Sequence, residues 1–215
     1  MKKRFCIFEI EYTESDNEYI DFLISEIQNK YLSIMDFFDI NKLGHIVTIK
    51  IWNNLEKYRD YFSKMNKIIP DWEVAIATIN KNEARIDLMC LKERMKCEGH
   101  QNDKLDNLLK VIVHEFVHIC HMTFNDYNAT MIWFGEGLAT NLSNQFKRME
   151  INCSLDDVIQ GKAKYINYYS MVKYLLDSFG KDYVLKLSKD KYLLERATND
   201  IYYKTIDYIK NCDNH

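Results

Sequence analysis

The sequence predicts an α+β fold with a strand-bearing N-terminal part and a wholly helical C-terminal part. Three observations lead there. Residues 45–52 (H-I-V-T-I-K-I-W) are rich in β-branched side chains, and residues 72–89 read as strand, turn and strand. Leu105, Leu108, Leu109, Ile112, Val113, Phe116, Val117 and Cys120 recur at three- and four-residue steps, the period of a helix with a broad buried face. Beyond Met131 that helical period is kept to the end.

The elements follow in order. Residues 4–12 alternate bulky apolar and polar side chains and read as a first strand. Residues 15–38 place Tyr19, Phe22, Leu23, Ile27, Tyr31, Ile34 and Met35 on a helical stripe. Asn53 or Asn54 caps a short helix reaching about Met65, and Pro70 marks a break. A turn at Asn80-Lys81-Asn82 separates the two strands that follow Trp72. Asn102 or Asp103 caps the long apolar helix, and Asp106 adds negative charge where the helix dipole favours it. Later helices are expected over about residues 131–149, over 167–179 closed by Gly180, briefly after Lys181, and over 200–210.

At 215 residues the chain suits one domain, 1–215, with lobes at 1–123 and 124–215. Its 47% hydrophobic content fills a real core. A net charge of -3 gives no electrostatic reason for a nucleic-acid or anionic-membrane partner. Met1-Lys2-Lys3-Arg4 resembles a signal start, but Glu9 and Glu11 interrupt the apolar stretch behind it. No run is long enough for a membrane span. The six cysteines contain no C-x-x-C pair, so free thiols in the cytoplasm are expected, with Cys120 a small core residue.

The chemistry is carried by His114-Glu115-Phe116-Val117-His118, an H-E-x-x-H segment inside the apolar helix. Imidazoles four residues apart project from one helix face and can grip one Zn2+ per chain. Glu115 can take a proton from a metal-bound water. Catalytic zinc keeps three protein ligands and one open position, and Glu136 in Trp133-Phe134-Gly135-Glu136-Gly137-Leu138-Ala139 is the natural third. Gly135 and Gly137 disfavour a helix interior, which is offset if they let this helix approach the metal helix closely. The alternative is that Gly135 marks a turn before an ordinary surface helix. A third histidine six residues beyond His118 would be needed for a metzincin, and Phe124 stands there. His121 faces differently, which suits a surface or supporting role.

Together these residues resemble the gluzincin branch of the thermolysin-like metallopeptidases, especially the small peptidase MA-like domains with H-E-x-x-H followed by W-F-x-E-G-x-A. The match rests on His114, Glu115, His118, Trp133, Glu136, Gly137 and Ala139, and more faintly on residues 45–190. The resemblance implies a zincin-like fold, with the small mixed sheet and metal helix in one lobe, a helical second lobe, and the active-site cleft between them. It implies zinc on His114, His118 and Glu136, Glu115 as general base, and a peptide or protein substrate. Thr140 departs from the pattern: related enzymes carry an acidic residue there to orient a histidine. Tyr165 or Tyr168 can supply the oxyanion donor, the alternative being aromatic packing. In such enzymes a substrate pairs with an exposed edge strand, here residues 85–89 unless that strand is interior. The G-x-M-E-N anchor of the related aminopeptidases is absent, which weighs against an exopeptidase without excluding one. The rival expectation is a zincin-like domain that binds or regulates a protein partner.

Overall fold

Phe8, Ile10, Val47, Ile49, Ile86 and Leu88 are fully buried and alternate with polar neighbours, which gives one sheet a continuous apolar face. The computed structural model describes residues 1–212, which form eight α-helices, a short 3-10 turn and a mixed five-stranded sheet, an α+β architecture. The chain divides into two compact units, Met1–Cys120 and His121–His215.

The first unit holds the sheet. Its strands are β1 (Lys2–Phe5), β2 (Phe8–Glu11), β3 (Val47–Trp52), β4 (Ala75–Asn80) and β5 (Glu83–Met89), in the order β1-β2-β3-β5-β4. β2, β3 and β5 run parallel, while β1 and β4 pair antiparallel at the two edges. Residues 4–12 are thus a hairpin rather than one strand. Phe5 pairs with Phe8 across a two-residue turn, and Cys6 takes a left-handed φ of 46° there. Helix α1 (Asn17–Phe37) and the first part of α4 (Leu105–Phe124) bring Ile27, Ile34, Ile112 and Phe116 to one apolar crevice with Phe8.

The opposite sheet face is polar over most of its area. Asp87 on β5 is 1% exposed and accepts hydrogen bonds from Trp52 Nε1 on β3 (2.7 Å) and from Arg85 Nε and Nη2 (2.5 and 2.8 Å). Helix α2 (Leu55–Ser63), capped by the Asn54 side chain on Lys57 N (2.8 Å), covers the far end with Tyr58 and Phe62 over Ile76 and Met89.

Residues 85–89 therefore lie in an interior strand, and β4 is the edge. Met89 N donates to Val74 O (2.9 Å), and Asn80 pairs with Glu83 across the hairpin turn. Even-numbered residues of β4 thus face β5, while the backbone N–H and C=O of Ala75, Ala77 and Ile79 point away from it.

A short α3 (Leu91–Arg94) follows β5. Before α4, Asp103 is taken up by buried Arg94 (2.6 Å) and by His100 (2.7 Å). The start of α4 is served instead by Asn107, whose side chain accepts from Lys104 N (3.0 Å).

The second unit is helical: the last residues of α4, then α5 (Ile132–Leu142), α6 (Leu155–Ile159), α7 (Tyr165–Lys189) and α8 (Lys191–Cys212). α5 stops seven residues short of the expected Met149 end. Asn144 adopts a left-handed φ of 54°, and Gln145 N closes onto Thr140 O (3.1 Å), a helix-terminating turn. α6 was not anticipated; Ser154 and Asp157 form its capping box. Gly180 breaks α7 with φ 76° and ψ 178°, as its sequence position suggests. α8 starts nine residues before Asp200, capped by Asp190 Oδ1 on Leu193 N (2.9 Å). No helix among the described residues is long and apolar enough to cross a membrane.

Candidate metal centre

The site begins with helix periodicity. His114 and His118 stand one turn apart on α4, and their Nε2 atoms meet at 3.1 Å with the rings nearly edge-on. The flanking Val113, Phe116 and Val117 are buried, so the helix cannot roll to separate the imidazoles from their common direction. Two nitrogens bound to one tetrahedral zinc at about 2.0–2.1 Å stand about 3.3 Å apart. The observed spacing fits that geometry.

The ligand atoms of His114, His118 and Glu136 all lie within 4.8 Å of one another, a group that can hold a metal ion. Two neutral nitrogens and one carboxylate oxygen are a donor set suited to a borderline divalent cation and leave a fourth position to fill.

Glu115 is buried, and its carboxylate makes no hydrogen bond or ion pair with any described residue. The nearby Tyr58 phenol is pushed above its usual range, first by burial and then by the charges of Glu73, Glu115 and Asp87. Its hydroxyl is sealed in the core without a hydrogen-bond partner. Burial likewise raises the Cys120 thiol, which is fully enclosed and chemically quiet, in keeping with a core role.

In the second unit, Glu136 sits in the second turn of α5, partly open to solvent. Thr140, one turn on, is fully buried, and its hydroxyl donates to the carbonyls of Glu136 (2.8 Å) and Gly137 (3.1 Å). Its proton is therefore spent within its own helix. The two glycines differ in what they permit. A methyl at Gly137 would sit 2.5 Å from Tyr168 O and from Val172 Cγ2, both on α7, so the close approach it allows is to α7. At Gly135 the nearest atoms, His121 Nδ1 and Thr130 Oγ1, would be at 3.8 Å, an ordinary contact.

Tyr168 is 1% exposed, with its hydroxyl enclosed and lacking a well-formed hydrogen bond. Burial raises its pKa, the Ala163 backbone opposes the rise, and the Glu136 charge adds a smaller upward push. Tyr165 is half-buried at the first residue of α7, with its ring 6.2 Å from that of Tyr168. His121 is buried rather than superficial: its Nε2 meets Ser188 Oγ (2.8 Å), which donates to Asn125 Oδ1 (3.0 Å). With the Ser188 proton directed at Asn125, His121 is the donor of that pair.

Sequence reasoning passed over Asn141. Its Nδ2 donates to Gly137 O (2.8 Å) on its own helix and to Tyr169 O (2.9 Å) on α7. An asparagine inside the helix expected over about residues 131–149, where its propensity is poor, was the available signal.

Compared with models of protein families, with curated proteins and with solved structures, the chain matches none.

Proposed function

We propose that the chain is a zinc-dependent metallopeptidase of the gluzincin type, with zinc held by His114, His118 and Glu136. The observation that carries this reading is the convergence of those three ligand atoms, with Glu115 next to His114 and without a hydrogen bond or ion pair among the described residues. When bound, zinc supplies Lewis-acid polarisation of a carbonyl and lowers the pKa of a coordinated water towards neutrality. Glu115 accepts the proton from the attacking water at its carboxylate and then delivers it to the leaving amide nitrogen. The outward backbone groups of Ala75, Ala77 and Ile79 on β4 suit an extended peptide added as a further strand. Of the two tyrosines, Tyr165 is the oxyanion donor this reading favours, because it is half-buried at the start of α7 whereas Tyr168 has its hydroxyl enclosed. A reducing cytoplasm accords with six unpaired thiols.

The rival reading, a partner-binding domain, is favoured by Thr140, whose hydroxyl is turned into its own helix where related enzymes carry an acid. One comparison separates them. Zinc-loaded wild type should cleave an unstructured peptide pool, and zinc-loaded Glu115→Gln should cleave it about 10²- to 10⁴-fold more slowly. Fully loaded wild type that cleaves nothing across broad peptide libraries favours the rival.

A further inference from the structure

We propose that Asn141, acting with the bare face of Gly137, is the positioning device for Glu136: it clasps α5 to α7 and so sets the height of the metal-binding carboxylate. This rests on the metal-centre reading of His114, His118 and Glu136 but not on any activity.

The peptide that carries the ligand is held from two directions. Within α5, Thr140 Oγ1 caps Glu136 O and the Asn141 amide caps Gly137 O. Across to α7, the same Asn141 amide reaches Tyr169 O at 2.9 Å. Both Nδ2 protons are thereby committed, one to each helix, so the side chain fixes the two axes in register. Gly137 sets the separation. With no Cβ, its α-carbon lies against the Tyr168 carbonyl and Val172, where a methyl would meet both at 2.5 Å. Adding that methyl forces α5 away from α7, and Glu136 moves with its helix. Thr140 is fully buried beside these groups, so the displacement cannot be absorbed by a solvent-side shift alone. A metal ligand displaced by a fraction of an ångström loses affinity, because coordination distances tolerate about 0.2 Å.

The test uses the full chain loaded with Co2+, whose d–d absorption reports ligand geometry, and measures affinity by chelator competition. Asn141→Ala and Gly137→Ala should each lose about 10- to 100-fold in Co2+ affinity, the usual effect of removing a group that orients a ligand. Their d–d spectra should change while far-ultraviolet circular dichroism stays as in wild type. Ser170→Ala is the control. It removes bonds from α7 to Glu150 N (2.7 Å) and Glu150 O (3.0 Å) but none to α5, so affinity and spectrum should be unchanged despite a comparable loss of stability. If Gly137→Ala does not fold, the half-buried Asn141 decides alone; if Asn141→Ala does not fold, the isosteric Asn141→Asp, which lacks the donors, replaces it. Folded variants with wild-type affinity and spectrum overturn the inference and leave the metal centre standing. A wild-type chain that takes up no Co2+ overturns both.

Discussion

His114 Nε2 and His118 Nε2 stand 3.1 Å apart on consecutive turns of α4, close to the separation of two nitrogens on one tetrahedral zinc. Neutral imidazoles at this spacing can turn both Nε2 lone pairs on one cation. The purified chain should therefore hold about one zinc, measured by elemental analysis, and His114→Ala or His118→Ala should lose nearly all of it. Full zinc content in either variant would mean that the coordination lies elsewhere.

Glu136 and Glu150 give a matched pair of carboxylates in the second unit. Glu136 belongs to the ligand group, whereas the Glu150 carboxylate accepts from Asn152 Nδ2 (2.7 Å) and lies 3.4 Å from Arg148. Glu136→Ala should release zinc and Glu150→Ala should retain it. Equal zinc content in the two variants would remove Glu136 from the ligand set.

Asp87 gives a prediction about stability that involves no metal. It is buried with its three donors from Trp52 and Arg85, and the Trp52 bond ties β3 to β5. Asp87→Ala strands an indole N–H and a mostly buried guanidinium. The cost should be about 3 kcal/mol, the low end for breaking a buried ion pair, because Arg85 keeps some solvent contact. A urea midpoint lowered at constant slope would register it; an unchanged midpoint would mean that Arg85 turns out to water freely.

The elements that were legible in the sequence are those with strong local signals. β3 is rich in β-branched side chains, α4 carries a sixteen-residue helical stripe, and the β4–β5 turn its two asparagines. The hairpin at residue 6 escaped because a cysteine occupies a left-handed position that Gly or Asn normally announces. Strand order escaped for a different reason. β4 and β5 alternate similarly, and what makes β5 interior is Asp87, whose partner on β3 is 35 residues away in sequence. The two histidines of the group that can hold a metal ion were readable because H-E-x-x-H is a local, helix-periodic pattern. Glu136 was readable from its glycine neighbours, although Gly137 turned out to face α7. Asn141 was invisible because its partner Tyr169 is fixed only by helix packing.

Zinc should also appear in the folding equilibrium, independently of any substrate. A ligand that binds only the folded chain stabilises it by RT ln(1 + [L]/Kd), about 2.7 kcal/mol when free zinc is 100 times Kd. Wild type should therefore unfold at higher temperature with zinc than with chelator, and the difference should grow with zinc concentration. Glu115→Gln should retain this dependence in full, since the amide replaces a group that does not ligate. His114→Ala should lose it, because two remaining ligands hold zinc weakly. Unfolding these three proteins, each with zinc and with chelator, thus separates coordination from proton transfer. A zinc-dependent shift of wild-type size in His114→Ala would trace the stabilisation to adventitious binding, with the six unpaired cysteines the first suspects.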